Sequence, residues 1–132
     1  MKRILKIGFV IWVILWPMFI LRELFVKGYF YDYKALISRP LEGKRAYVTG
    51  EDFYSFLMFC RRTLRPDAKF TWIGVKKDSI DKRRGEYYLY PRLEEPDNAE
   101  FVLVYNEPHA VRNGYAVFAE KDSNSYILKK ER

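Results

Sequence analysis

The first apolar run in the chain is also its longest. Residues 7–21 (IGFVIWVILWPMFIL) carry no charge. Extended back to Ile4, the run admits only Lys6, whose methylene stem can lie along apolar surface while its ammonium reaches water. Beyond Arg22 and Glu23 it resumes with Leu24, Phe25 and Val26. The pattern predicts a helix from Ile4 to about Leu24, some 20 residues, which is the length needed to cross hydrocarbon. Because it is apolar on every side, it does not suit a helix lying flat on a membrane. Trp12 and Trp16, one turn apart, are expected to mark the outer interface. Pro17 is expected to be tolerated with a kink. A cleaved signal peptide would need small residues where Arg-Glu-Leu-Phe-Val-Lys stands, and a lipoprotein signal would need a cysteine there. A buried soluble helix is the remaining alternative.

The pattern then changes period. Residues 27–43 (KGYFYDYKALISRPLEG) read as a juxtamembrane connector, with Tyr29, Phe30, Tyr31 and Tyr33 at headgroup depth and Pro40 and Gly43 punctuating its end. A helix is predicted from near Gly50, capped by Thr49 or Glu51, because Phe53, Phe56, Leu57, Cys60 and Leu64 recur at helical spacing. Arg61, Arg62 and Arg65 suit its C-terminal end and Pro66 stops it. Residues 69–75 (KFTWIGV) read as a strand. Residues 79–90 read as a short helix capped by Asp78 or Ser79, with a β alternative for EYYLY. Residues 100–105 (EFVLVY) form the strongest strand signal, a run buried on both faces. Residues 114–120 and 125–129, separated by 121–124, form a predicted β-hairpin.

The expected organisation is an anchor (1–26), a connector (27–43) and a small domain (44–132). Its fold class is α/β, with α+β as the alternative: a mixed sheet with a right-handed parallel strand–helix–strand unit, closed by the hairpin.

The string RGEYYLYPR (84–92), followed by AEFVLVY (99–105), resembles a pattern in uncharacterised bacterial membrane proteins, where a "YYLYPR" segment precedes a "DYVLVY"-like strand and a closing hairpin. It is also similar to soluble portions of some polytopic envelope glycosyltransferases. The resemblance covers about residues 66–129. It implies an envelope-associated accessory domain, on the extracytoplasmic side, linked to surface glycan assembly. The transferases' many spans are missing from this sequence, so their activity does not carry over.

Charge narrows the partners. The formal net charge is +7. Residues 1–21 hold Lys2, Arg3 and Lys6 and no acid, leaving 21 basic against 17 acidic residues elsewhere. That excess is mild for a nucleic-acid binder and fits anionic headgroups more easily. The dense cluster at Lys2, Arg3 and Lys6 favours a cytoplasmic N-terminus and an extracytoplasmic domain on the inner or plasma membrane.

Chemistry is sparse. A single Cys60 and a single His109 exclude an intramolecular disulfide and cysteine or multi-histidine metal sites. Cys60 lies on an apolar stripe and reads as core. His109, after Asn106-Glu107-Pro108, is the one imidazole for acid–base chemistry, but neither a G-x-S-x-G elbow nor a phosphate-binding glycine loop accompanies it. An exposed loop histidine is the default, and no cofactor is expected. Glu94, Glu95, Asp97 and Glu100 read as a solvated turn.

The most promising patch is Lys76, Lys77, Lys82, Arg83 and Arg84, followed by Tyr87, Tyr88, Tyr90 and Arg92. Guanidinium forks grip phosphate or carboxylate and tyrosine faces stack on sugars. Lys82, Arg83, Arg84, Tyr87, Tyr88 and Arg92 are the candidates for binding an anionic glycan, a lipid headgroup or an acidic partner. Nucleic acid is disfavoured by the anchor. The competing reading is a solvated basic helix face with its tyrosines turned inward. The expected role is a non-enzymatic accessory subunit docked on a polytopic membrane protein.

Overall fold

The chain forms α1 (Lys2–Val26), α2 (Tyr29–Ser38), α3 (Leu41–Thr49), α4 (Glu51–Thr63), β1 (Lys69–Ile73), α5 (Ile80–Leu89), β2 (Leu93–Glu94), a 3-10 turn (Pro96–Asn98), β3 (Phe101–Val104), β4 (Tyr115–Asp122) and β5 (Ser125–Lys130). The structure is a computed structural model that describes residues 2–131. It divides between Lys44 and Arg45 into a helical unit and a unit that carries the sheet.

In the first unit, α1 is longer than predicted at both ends and contains Pro17. Its stretch Lys6–Val26 is the one helix among the described residues that is long and apolar enough to cross a membrane, and none of it is buried. Gly28, at φ 76°, turns the chain directly into α2, and the rings of Phe25 and Phe30 stack at 5.5 Å. The connector expected over 27–43 is therefore helical. Tyr29–Ser38 has no internal Gly or Pro to interrupt it. Pro40 starts the next helix rather than punctuating the connector's end, because a proline needs no N–H in a first turn. Its carbonyl accepts from the Lys44 amide at 2.9 Å.

The cap expected at Thr49 or Glu51 is also replaced. Thr49 is the buried last residue of α3, and Gly50, at φ 94° with no side-chain cap, separates α3 from α4. Glu51 and Asp52 still occupy the first turn of α4, where their charge favours the positive end of the helix dipole.

The second unit is built on a five-stranded sheet in the order β2-β1-β3-β5-β4. β1 runs parallel to β2 and β3, whereas β5 runs antiparallel to both β3 and β4. The mixed helix-and-sheet architecture is consistent with the α+β class. The β1–α5–β3 crossover is parallel as predicted, and the hairpin closes the chain. Its turn is two residues, Ser123 and Asn124, rather than four. The acidic stretch is not a plain turn: Glu94 belongs to β2 and Asp97 to the 3-10 turn.

One face of the sheet is covered by α4 and α5. Phe53, Phe56, Leu57, Cys60 and Leu64 of the α4 region meet Phe70, Phe101, Leu103, Ile127 and Leu89 in one buried cluster. These are the five positions whose spacing predicted the helix. The other face holds a smaller cluster of Val102, Val104, Tyr126 and Leu128. Since β3 and β4 are parallel and flank β5, residues 105–114 must cross that face without a helix. Ala110 packs on the cluster, and the Tyr126 hydroxyl donates to the Ala110 carbonyl at 3.0 Å. β3 is consequently buried at all four positions.

Two glycines are required by close approach. At Gly74, with φ 84°, a Cβ would stand 1.9 Å from the Tyr105 carbonyl oxygen. At Gly85, in the middle of α5, it would stand 2.6 Å from the Trp72 ring. Overpacking there costs about 1–3 kcal/mol, whereas alanine gains roughly 1 kcal/mol over glycine in a helix. Gly85→Ala is therefore predicted to lower the chemical-denaturation midpoint, and to raise it in a Trp72→Leu background. An equal loss in both backgrounds would show that Trp72 does not hold position 85 to glycine.

Candidate anion-binding cleft

Helix α5 starts as its sequence predicts. The Ser79 hydroxyl accepts from the Lys82 amide at 3.1 Å, and Asp81 sits in the first turn. Gly85 and Leu89 are its buried residues and turn toward the sheet. At about 100° per residue, Lys82 and Glu86 then fall on one flank, and Arg84 and Tyr88 on the other. The basic–aromatic patch expected along this segment is divided by its own helix.

On the first flank, the Lys82 ammonium lies 2.9 Å from the Glu94 carboxylate and 4.0 Å from that of Glu86. The hydrogen bond with Glu94, aided by the neighbouring carboxylates, holds Lys82 above its ordinary value against the opposing effect of burial. Glu86 is also raised, first by its hydrogen bond with Glu94 and then by burial. Lys82 is committed to this cluster. On the second flank, Arg84 pairs with Asp81 at 3.6 Å. Arg83, Lys76 and Lys77 are exposed.

Arg92 is the clearest correction to the expected site. It is 7% exposed and turned into the protein. Its guanidinium donates to the carbonyls of Arg61 (2.7 Å), Leu64 and Leu89. Burial, and then the charge of Arg61, lowers its basicity. A side chain spent on three backbone oxygens is a helix-terminus cap, not a ligand hook.

The tyrosines do not all turn inward. Tyr88 is half-buried, with its ring edge-on to Tyr54 at 5.4 Å, but Tyr87 is 76% and Tyr90 72% exposed. Together with Arg45 and Arg61 these three line a cavity of about 280 Å³. No carboxylate lines it. Sequence reasoning placed Tyr87, Tyr88 and Tyr90 in its patch and missed both arginines. Arg61 was legible on the helix wheel: it lies seven residues after Tyr54, on the same flank of α4, and that flank faces α5.

The remaining candidates stand apart. Burial pushes the Cys60 thiol far up, which keeps it protonated, in line with a core role. His109, at φ 63°, is exposed on the crossover; no hydrogen bond or ion pair joins it among the described residues. Among those residues no group of three His, Cys, Asp or Glu could hold a metal ion. Trp16 is the midpoint of Lys6–Val26 and Trp12 lies one turn before it, so neither marks an end of the apolar stretch as expected.

Arg92→Lys keeps the charge but loses the fork, and is predicted to cost about 2–3 kcal/mol of unfolding free energy; full stability in this variant would refute the capping role. For Lys82 the folded value lies above the unfolded one, so its stabilisation is present below the ordinary lysine range and is lost as pH rises through the folded value. The stability difference between the parent and Lys82→Met should hold steady from neutral to mildly alkaline pH and shrink above it in thermal melts. A difference that grows with pH would contradict the pairing.

No family model, no curated protein and no solved structure matches this chain.

Proposed function

We propose that the chain is a single-pass, membrane-anchored accessory protein, without an activity of its own, that docks on a larger envelope membrane complex. The exposed apolar helix is the observation that carries this reading. Fifteen large apolar side chains between Ile7 and Val26 are exposed, each representing about 1.5–3 kcal/mol if fully removed from water. A helix that is apolar all round and uncovered along its length has lipid as its natural solvent. The density of Lys2, Arg3 and Lys6 before it, against the mixed charges after it, places the N-terminus in the cytoplasm and the domain outside on this reading. The resemblance of residues 84–92 and 99–105 to envelope proteins adds surface glycan assembly as the process served.

A second reading, a binding module for anionic glycan or lipid headgroups, is favoured by the arginine- and tyrosine-lined cavity on the second unit.

The test is affinity purification from native membranes after mild detergent extraction. The expected result is a polytopic membrane protein co-eluting at fixed stoichiometry. Recovery only as a monodisperse monomer would overturn the docking role, and recovery in an aqueous, detergent-free wash would overturn the anchor.

A further inference from the structure

We propose that the cavity lined by Arg45, Arg61, Tyr87, Tyr88 and Tyr90 binds an organic phosphate: a phosphoryl group attached to a polyhydroxylated body such as a sugar or glycerol. This rests on, and deepens, the reading of the domain as a binding module for anionic headgroups. Three observations converge on it.

The first is charge. Both ionised groups in the wall are guanidiniums. The Arg61 side chain forms no ion pair among the described residues, and only its backbone carbonyl is engaged, by Arg92. The neighbouring cavity of about 460 Å³ is charge-balanced instead: Lys82 and Arg92 line it together with Glu86 and Glu94, and Lys82 pairs with both carboxylates. Of these two cavities, only the one lined by Arg45 and Arg61 has an excess of cationic side chains. Guanidiniums present planar forks that match phosphate oxygens.

The second is the tyrosines. Tyr87 and Tyr90 line the cavity yet are largely exposed, so they contribute little to the core. A ring with an apolar face and a polar tip suits a partner that is itself half apolar and half hydroxylated, which inorganic phosphate is not and a glycosyl or glyceryl phosphate is.

The third is size. About 280 Å³ lies at the lower edge of the roughly 300–1,000 Å³ usual for small-molecule sites. It suits one headgroup-sized moiety.

The same chemistry reaches the cavity from two sources, a soluble sugar phosphate or the headgroup of an anionic lipid, and the experiment separates them. The full chain, with carbon-13 in its tyrosine rings, is placed in zwitterionic nanodiscs and titrated with glucose 1-phosphate, glycerol 3-phosphate and inorganic phosphate. In parallel it is placed in nanodiscs containing phosphatidylglycerol with nothing added. Saturable shifts of the Tyr87 and Tyr90 ring signals with the organic phosphates, at lower concentration than with inorganic phosphate, are expected if the source is soluble. The same shifts in the phosphatidylglycerol discs identify the lipid. Arg61→Gln should weaken binding at least about tenfold, the loss of one charge-assisted contact, and Tyr87→Ala should abolish the preference over inorganic phosphate. Both replaced side chains are exposed, so thermal melts should match the parent.

Arg83 is the control, because it is exposed on the same helix and outside the cavity wall. If Arg83→Gln weakens binding as much as Arg61→Gln, the attraction is a diffuse basic field and the site falls. The absence of any saturable shift in all arms overturns it equally. Neither result touches membrane anchoring or co-purification, so this proposal and the accessory-subunit reading fail separately.

Discussion

Arg92 sits where two helix ends meet. The carbonyls of Arg61 and Leu64 belong to the last turn of α4 and the residue after it, and the Leu89 carbonyl closes α5. Helix C-termini leave such oxygens without intrahelical partners, and the dipoles of the helices place partial negative charge on them. One guanidinium therefore meets the needs of both ends at once. Conversely, the two ends supply the partial negative charge that a buried cation ordinarily takes from a carboxylate. The fit is not complete, because the Nε of Arg92 is buried without a partner. The arrangement nonetheless fixes the relative position of the C-terminal turns of α4 and α5, and these turns form the walls of the candidate cleft. Arg61 and Tyr90 line that cleft, and Arg92 holds the backbone carbonyl of Arg61.

This geometry explains why a patch continuous in sequence is discontinuous in space. Lys82, Arg83, Arg84, Tyr87, Tyr88 and Arg92 fall within eleven residues, and composition alone groups them. A helix distributes its side chains by angle, so the buried pair Gly85 and Leu89 separates Lys82 from Arg84 and Tyr88. The turn after the helix then takes Arg92 inward. The site gains Arg45 and Arg61 from elements 26 and more residues upstream, through helix–helix packing that a one-dimensional reading does not contain. The α4 stripe held the clue, since Tyr54 and Arg61 share the flank that meets α5.

The fold was legible wherever a local pattern decided it. The even apolarity of α1, the five-position stripe of α4, the Ser79 cap of α5 and the unbroken apolar run of β3 all set their elements without help from distant residues. The failures have one cause. Residues 27–43 have no strong period and read only as a connector whose end Pro40 and Gly43 punctuate; yet Pro40 opens a helix and Gly43 lies inside it. β2 is two residues long and exists only because Lys69 and Phe70 pair with it. The crossover 105–114 shows the same dependence: that β5 would insert between β3 and β4 is a property of long-range pairing, and only then must an otherwise plain loop cross and seal a sheet face.

Eighteen residues, 27–44, separate the end of the apolar stretch from the sheet-bearing unit. If that stretch lies in lipid, as proposed, the domain is confined to within this tether's reach of the headgroups. An open cleft with two guanidiniums and exposed tyrosine rings is not built for tight, enclosed binding. Occupancy of such a site depends on the ratio of local ligand concentration to dissociation constant. If α1 lies in lipid and the ligand is an anionic headgroup, both as proposed, confinement would supply what the cleft lacks in depth.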